Sequence, residues 1–278
     1  MAGSCATFEV LIKIRRASQL SNANPEGGAM TNSQSMKKVN LFILGVQKAG
    51  TTALAEFISA HPDVCLVKGK EAHVFDDPDY HRSADKAGYA QKKYDARLSH
   101  YNGEKYLCDA TPITLLHPRF IAECVSYNPD AKFLVMLRDP VARAYSHYQM
   151  SKRRGLEELS PLRAFLTEPW RMKNWKEALP YAPFEHAYRD FSYLLRGCYK
   201  RQLAALYDAV PANQVLLHKQ EDLIRQHHEV MAKTFSFLAL PQENIAPKQV
   251  FEGDYKESIP WAAQTYARLY FLFHGEHY

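Results

Sequence analysis

The feature that most constrains this chain is an apolar run that ends in a glycine-containing turn and passes directly into a helical pattern. Residues 39–46, VNLFILGV, are almost uninterruptedly apolar, which is typical of a parallel strand buried on both faces of a sheet. From Thr51 to Ala60 large apolar residues recur at helical spacing, and His61-Pro62 ends the pattern. A strand, a turn and a helix in this order predict an α/β fold.

The same alternation continues along the chain. Residues 132–137 predict a second buried strand and residues 141–152 a second helix. Further predicted elements are a helix over 198–209, a strand over 214–217 and helices over 227–238 and 261–273. Together they predict a P-loop-like three-layer fold, with a central parallel sheet flanked by helices. Residues 157–190 fit no element, and we interpret them as a substrate-side insertion or lid.

Length and composition predict one domain behind a flexible leader. The chain has 278 residues, of which 46% are hydrophobic, so it can fill one large core. Residues 17–38 are rich in Ser, Asn, Gly and Gln and poor in large apolar residues, so they bury too little surface to fold. We therefore predict a flexible leader over residues 1–38 and one domain over residues 39–278.

Charge and cysteine content exclude several classes of protein. A net charge of +5 suits an anionic ligand, but the basic residues form scattered pairs and no nucleic-acid-binding tract. The five cysteines show no Cys-x-x-Cys spacing, so we expect neither a zinc ribbon nor a disulfide framework, and a reducing cytoplasm is the predicted location. No apolar segment approaches the roughly 18–20 residues of a membrane span. His227-His228 lacks the spacing of helical metal ligands, so we predict a solvated pair and no metal site.

The turn after the first strand has the features of a phosphate site. Residues 45–52, GVQKAGTT, lie where backbone N–H groups and the positive end of a helix converge on an anion. The spacing is similar to that of the nucleotide-binding P-loop, in which a lysine follows the second glycine. Here Thr51 takes that place and the lysine is Lys48, which predicts a transferred group other than the terminal phosphate of a nucleoside triphosphate. The alternative is an ordinary strand-to-helix turn with a surface lysine.

A second anion site is predicted after the second buried strand. Arg138 ends that strand, Pro140 opens the next helix, and Ser146 follows within it. An arginine at a strand's carboxyl end and a serine in the following helix can hold a phosphate together. Two separate anion sites imply a nucleotide that is phosphorylated at both ends. The alternative for Arg138-Asp139 is a structural ion pair.

These motifs, in this order, resemble those of the sulfotransferases that use 3′-phosphoadenosine 5′-phosphosulfate (PAPS), especially heparan sulfate sulfotransferase domains and their soluble bacterial relatives. GVQKAGTTAL is similar to the family's 5′-phosphosulfate loop, LRDPVARAYSHY to its 3′-phosphate element, and KEAHVFD at 70–76 to its Lys-Glu-x-His-x-Phe segment. Residues 197–199, 202–203 and 220–223 also fit the pattern, so the resemblance covers nearly all of residues 39–274.

The resemblance implies a role for each matching residue. Lys48 would contact the bridging and leaving-group oxygens, and no metal is required, because a sulfuryl group carries less charge than a phosphoryl group. Arg138 and Ser146 would hold the 3′-phosphate, and Tyr199 would contact the adenine unless it is a core residue. The expected donor-binding residues are Gly45, Lys48, Ala49, Gly50, Thr51, Thr52, Arg138, Ser146 and Tyr199.

Resemblance and chemistry nominate Glu71 as the general base that takes the acceptor's proton, with His73 as the second candidate. An apolar pocket raises the pKa of a carboxyl group and a nearby Lys48 opposes that shift, and the sequence leaves this balance open. His73 is otherwise a structural histidine. Residues 109–112 either contact the acceptor or reverse the chain.

The predicted function is sulfuryl transfer from PAPS to a hydroxyl or amine of a small-molecule acceptor, by analogy a natural product. The 12% aromatic content suits a pocket for a compact organic acceptor. No amino-terminal anchor or disulfide-held loop is apparent, and residues 251–260 lack the Lys-Gly-Arg run that many relatives use over the nucleotide. The alternatives are a carbohydrate sulfotransferase, a P-loop kinase of a small metabolite, and a non-catalytic nucleotide-binding protein. Acceptor identity and oligomeric state stay open.

Overall fold

A computed structural model describes residues 38–248 and 258–276. Its strands form one parallel sheet in the order β2-β3-β1-β4-β5, so that β1 lies at the centre. The strands are β1 (Leu41–Gly45), β2 (Val64–Leu66), β3 (Tyr106–Asp109), β4 (Lys132–Leu137) and β5 (Val215–Lys219). This architecture confirms the predicted fold class.

Helices connect the strands and flank the sheet. In chain order they are α1 (Thr51–Ser59), α2 (Pro78–Arg82), α3 (Lys86–Arg97), α4 (Pro118–Tyr127), α5 (Pro140–Arg153), α6 (Pro161–Arg171), α7 (Trp175–Ala178), α8 (Ala187–Asp190), α9 (Tyr199–Ala209), α10 (Gln220–Arg225), α11 (His227–Leu238) and α12 (Trp261–Phe273). Single 3₁₀ segments cover Pro112–Leu116, Leu179–Tyr181, Leu195–Gly197 and Ala212–Gln214. Among the described residues, no helix is long and apolar enough to cross a membrane.

The strongly periodic elements were predicted well. The observed bounds of β4, α11 and α12 are those predicted from the sequence. β1 is shorter than the predicted 39–46. At its start, the backbone N–H of Val39 donates to the Tyr127 hydroxyl and not to a neighbouring strand. β2 and β3 were missed, since they have three and four residues and carry no long apolar run.

The stretch that fitted no element, residues 157–190, contains α6, α7 and α8. Together with α5 and α12 it builds a second apolar cluster beside the main core. Tyr148 of α5, Phe165 of α6 and Phe271 of α12 meet there, with Tyr193 also buried among them. The stretch is therefore a packed part of the domain, built on the helix that follows β4.

Two predictions fall largely beyond this description. The predicted leader, residues 1–38, lies outside the described residues except for Lys38. The segment 251–260 lies outside them except for residues 258–260. Both assignments stay predictions.

Gly45 lets β1 approach β4 closely at the end that carries the two turns. It pairs with Met136, and its φ is 155°. A Cβ atom at this position would lie 2.8 Å from the Met136 carbonyl oxygen and 2.9 Å from its nitrogen, both backbone atoms that cannot move aside cheaply. Glycine is therefore required here for strand packing.

We expect Gly45→Ala to lower the free energy of unfolding by about 2–3 kcal/mol, since the sheet must open to admit the methyl group. Gly103→Ala is the matched control. Its φ is 101° and nothing lies within 4 Å of an added Cβ, so it bears only the left-handed backbone penalty of about 1–2 kcal/mol. Urea unfolding measures both. Equal losses, or a smaller loss for Gly45→Ala, would contradict the packing argument.

Candidate functional site

The turns after β1 and β4 open into one cavity of about 630 Å³. The two strands are parallel neighbours, so their carboxyl ends lie at the same edge of the sheet, where ligands bind in folds of this kind. The cavity is lined by most of the predicted site residues. They are Lys48, Gly50, Thr51, Thr52, Glu71, Arg138 and Ser146.

The first turn has the backbone of an anion site. Gly50 caps α1 with a φ of 86°, and no side chain accepts a hydrogen bond at this helix end. The first N–H groups of α1 are thus left for another acceptor, and they point outward with the positive end of the helix dipole. Lys48 also adopts a left-handed φ of 74°. Such a conformation in a residue other than glycine is strained, and strain of this kind concentrates at functional sites.

The second turn touches the first. Arg138 donates from Nη1 to the Lys48 carbonyl at 3.1 Å. Ser146 lies in the first half of α5, the helix that follows Arg138. It is 3% exposed and lines the same cavity. The two predicted anion corners therefore face one another across a single space.

Three predicted donor-binding residues, Gly45, Ala49 and Tyr199, do not line the cavity. They lie behind the residues that form its wall. Gly45 packs on Met136. Ala49 is fully buried, and its N–H donates to the Val46 carbonyl. Tyr199 is buried and donates its hydroxyl proton to the Arg138 carbonyl at 2.8 Å. That contact braces the backbone of the second turn, while the role of Tyr199 toward adenine stays a prediction.

The acidic part of the site is a chain of three side chains. Glu71 lines the cavity with a side chain that is 29% exposed. His73 Nε2 lies 3.2 Å from Glu71 Oε2, and His73 Nδ1 lies 2.9 Å from Oδ2 of Asp76, which is fully buried. The loop that presents them is strained, since Lys70 and His73 both have positive φ angles, 69° and 52°. The structure therefore brings together Glu71 and His73, the two candidate bases.

The charge states of Glu71 and His73 follow from the contacts of these two side chains. Burial raises the pKa of Glu71, but hydrogen bonds and charges from His73 and Lys70 outweigh it, so the net pKa is below the usual value. Burial lowers the pKa of His73, but hydrogen bonds to Asp76 and Glu71 outweigh that and raise it to about 9. At neutral pH Glu71 is a carboxylate and His73 an imidazolium. A protonated imidazole cannot accept a proton, so this geometry favours Glu71 as the base.

Lys70 connects the acidic chain to the first turn. Its ammonium pairs with Glu71 and donates to the Thr52 hydroxyl at 3.2 Å. The sequence left open whether Lys48 would lower the pKa of Glu71. The cations that do so are Lys70 and His73, which are close to Glu71 along the chain.

The end of β3 supports the loop that carries Glu71. Asp109 is buried and accepts from the backbone N–H of Ala72 at 3.1 Å, and Thr111 accepts from that of His73 at 3.3 Å. Asp109 also accepts from the Tyr94 hydroxyl. These contacts make Asp109 part of the scaffold, whereas Pro112 lines the cavity.

Several cavity residues carried no signal in the sequence, because nothing in a single helix or loop marks them as wall residues. The prediction that His227 is solvated is wrong. The residue is 6% exposed, because its Nε2 contacts the Ile245 carbonyl at 2.9 Å and its ring packs on Phe57 at 4.5 Å. The unpredicted wall residues include Met150, Arg154, Ile224, His227 and Lys248, whereas Gln220 and Leu223 belong to the segment 220–223 that resembles the family pattern.

Comparisons with known proteins place these features in a wider group. The profile of the family described as "Sulfotransferase domain" matches residues 38–255. Human heparan sulfate glucosamine 3-O-sulfotransferase 3B1 is 36% identical over 132 residues, which cover 47% of this chain and 32% of that protein. This chain thus spans about a third of that relative's length.

Solved structures agree with the sequence comparison. A sulfotransferase from Alicyclobacillus acidocaldarius aligns with a TM-score of 0.67 and 26% identity, covering 86% of this chain and 93% of that one. The sulfotransferase domain from the curacin biosynthetic pathway aligns with a TM-score of 0.51 and 16% identity, covering 81% and 82%. The second likeness shows the fold alone.

The raised pKa of His73 predicts a pH dependence of stability. Because the folded-state pKa of about 9 lies above the ordinary value of 6.5, the stabilisation by His73 is fully present below pH 6.5 and is lost as pH rises through about 9. We expect the free energy of unfolding to fall less over this range in His73→Asn than in the wild type, as measured by urea titration.

His81→Asn is the control, since burial lowers the pKa of His81 and its protonation adds no stability above pH 6.5. Parallel pH profiles for the wild type and His73→Asn would show that His73 gains no proton on folding.

Proposed function

The chain belongs to the sulfotransferase domain family, and from this premise we propose that it transfers the sulfuryl group of PAPS to a hydroxyl group of an acceptor held beside Glu71. The match to the family profile confirms the resemblance seen in the sequence motifs. The observation that carries the proposal is the single cavity, because two anion corners and an ionised carboxylate line it together. Use of PAPS is the general property of the family.

The residues present fit a nucleotide with phosphate at both ends. The uncapped N-terminus of α1, with Gly50, Thr51 and Thr52, suits a 5′-phosphate. Arg138 and Ser146 suit a 3′-phosphate, since a guanidinium and a hydroxyl give charge-assisted hydrogen bonds. Among the described residues, Glu71 is the acid that lines the cavity, and the other charged residues of its wall are basic.

The bound donor supplies an activated sulfuryl group, which is displaced in line through a loose transition state resembling that of phosphoryl transfer. Catalysis of such a step consists of positioning and of stabilising charge on the leaving oxygen. Lys48 lies in the turn that precedes the 5′-phosphate corner and lines the cavity. We assign it to that leaving oxygen.

Glu71 would accept the proton of the acceptor. A carboxylate with a lowered pKa is a weak base, and a weak base suffices where the acceptor's proton becomes acidic only as the new S–O bond forms. The His73 imidazolium then holds Glu71 Oε2 in position. Its positive charge keeps the carboxylate ionised before transfer.

Two classes of acceptor are supported by different observations. The cavity volume lies in the range of small-ligand sites, roughly 300–1,000 Å³, and the donor occupies part of it, so the space that remains beside Glu71 favours a compact acceptor. The name of the human relative, a heparan sulfate glucosamine 3-O-sulfotransferase, favours a carbohydrate hydroxyl. The same name, a 3-O-sulfotransferase, supports a hydroxyl as the group that is sulfated.

Radiolabelled PAPS with a panel of hydroxylated natural products and unsulfated heparan-type oligosaccharides separates the two classes. Transfer to either supports the proposed reaction and names the class. Magnesium-dependent turnover of ATP without affinity for adenosine 3′,5′-bisphosphate would instead show a kinase.

Recognition of the 3′-phosphate can be tested without an acceptor. We expect Arg138→Gln to weaken binding of adenosine 3′,5′-bisphosphate by roughly 10- to 100-fold, as expected for one charge-assisted hydrogen-bonding group. It should weaken binding of adenosine 5′-monophosphate much less, because that ligand has no 3′-phosphate and loses only the support that Arg138 gives to the first turn through the Lys48 carbonyl. Isothermal titration calorimetry measures both.

Arg153→Gln, an exposed arginine at the end of α5 that does not line the cavity, should bind both nucleotides like the wild type. Equal loss of affinity for the two nucleotides in Arg138→Gln would place the 3′-phosphate elsewhere.

The catalytic assignments predict losses in turnover. We expect Glu71→Gln to lower kcat by about 10²- to 10⁴-fold, since it removes the proton acceptor. Lys48→Ala should lower kcat by about 10²- to 10³-fold, since it removes a charge at the leaving oxygen. Steady-state sulfuryl transfer to the acceptor found in the panel measures both.

Glu123→Gln is the matched control for Glu71→Gln. Glu123 also pairs with a lysine, Lys86, and its side chain is 17% exposed, but it does not line the cavity. Normal turnover in both Glu71→Gln and Lys48→Ala would show that sulfuryl transfer does not use these two side chains in the roles assigned to them.

A further inference from the structure

A buried arginine holds the acidic chain of the site from behind. Arg189, in α8, is 7% exposed and lies 113 residues from Asp76 along the sequence. Its Nη1 donates to Asp76 Oδ2 at 2.6 Å, and its Nη2 donates to the Asp76 backbone carbonyl. The guanidinium therefore fixes both the side chain and the backbone of one residue, as its planar fork allows.

Both cations that contact Asp76 act on the same oxygen. Oδ2 lies 2.9 Å from His73 Nδ1 and accepts from Arg189, whereas Oδ1 has no hydrogen-bond partner among the described residues. Because Asp76 is fully buried, no solvent can replace either contact. The direction in which Oδ2 points therefore depends on Arg189, and with it the orientation of the His73 ring.

A second contact reaches His73 through an aromatic ring. The guanidinium carbon of Arg189 lies 4.7 Å from the centre of the Phe184 ring, and that ring packs edge-to-face on His73 at 5.5 Å. Arg189 thus contacts the surroundings of His73 from two sides. Phe184 and Arg189 both belong to the stretch 157–190 that the sequence left without an element.

We propose that Arg189 is a positioning residue for sulfuryl transfer, which holds Asp76 against His73 so that His73 orients Glu71 toward the acceptor. This inference rests on the proposed function of Glu71. It assigns the stretch 157–190 a role in orienting the base in addition to its role in packing.

The donor side of the site does not depend on the Arg189 side chain. Arg143 donates to the Gln47 carbonyl in the first turn and to the Tyr193 carbonyl. Tyr193 contributes a backbone atom to this contact, so a change at Arg189 leaves it in place. Donor binding and base orientation can therefore be separated by experiment.

The chain offers a matched control. Arg171 also pairs with a nearly buried carboxylate, Glu157, and also lies over an aromatic ring, that of Phe191, at 4.5 Å. It lies in α6, in the same stretch, but contacts neither Asp76 nor His73. Arg171→Met therefore removes a similar ion pair without touching the base.

The first measurement needs no acceptor. In protein labelled with ¹⁵N in its histidine rings, we expect a protected Nδ1–H resonance of His73, assigned by its absence in His73→Asn. This resonance should be lost in Arg189→Met and retained in Arg171→Met. The affinity for adenosine 3′,5′-bisphosphate should stay within about 3-fold of the wild type in His73→Asn, Arg189→Met and Arg171→Met. Absence of the resonance in the wild type, or its persistence in Arg189→Met, would overturn the proposal.

The second measurement is turnover. We expect Arg189→Met to lower kcat by about 10- to 100-fold, by analogy with the range found when outer partners of metal ligands are lost. Arg189→Lys should recover part of the loss, and Arg171→Met should leave kcat unchanged. Equal losses in Arg189→Met and Arg171→Met would show a merely structural role.

A double variant keeps the test decisive if Arg189→Met does not fold. Removing both partners of a buried pair is milder than removing one, so we expect Asp76→Asn with Arg189→Met to preserve the fold. Because Arg189 acts through Asp76, the double variant should have the kcat of Asp76→Asn alone, and a further loss in the double variant would overturn the proposal. If the wild type transfers no sulfuryl group to any acceptor, the proposed function fails, while the resonance still decides the role of Arg189.

Discussion

The site depends on the pairing of β1 with β4, which sets the two anion corners side by side. The register that places Gly45 opposite Met136 brings the ends of both strands to one edge, and the missing side chain of Gly45 permits the close approach. The hydrogen bond from Arg138 to the Lys48 carbonyl then joins the two turns. A single ligand can span them because the strand pairing and this side-chain contact fix the distance between the corners.

Around this edge the protein uses buried charge to fix geometry. Burial raises the pKa of Asp76, yet contacts with His73 and Arg189 hold it below its usual value. Buried ion pairs of this kind contribute little net stability, since desolvation offsets the attraction between the charges. Here these ion pairs orient side chains, because each hydrogen bond in the series from Arg189 to Glu71 sets the orientation of the next group.

The sequence alone predicted the features that depend on short stretches of the chain. The buried strand β4, the amphipathic helices α11 and α12, and the cavity positions of Lys48, Glu71, Arg138 and Ser146 follow from runs, spacings and motif resemblance. What it lacked depends on contacts between distant segments. Arg189 and Asp76 meet across 113 residues, and His227 is buried against Phe57 of another helix and the Ile245 carbonyl.

The measurement that most directly tests the central claim is a crystal structure with adenosine 3′,5′-bisphosphate bound. The account predicts the 5′-phosphate at the N-terminus of α1 beside Lys48, and the 3′-phosphate within hydrogen-bond distance of Arg138 and Ser146. Glu71 should face the open space beyond the 5′-phosphate. A nucleotide bound away from these turns, or with both phosphates at one corner, would contradict it.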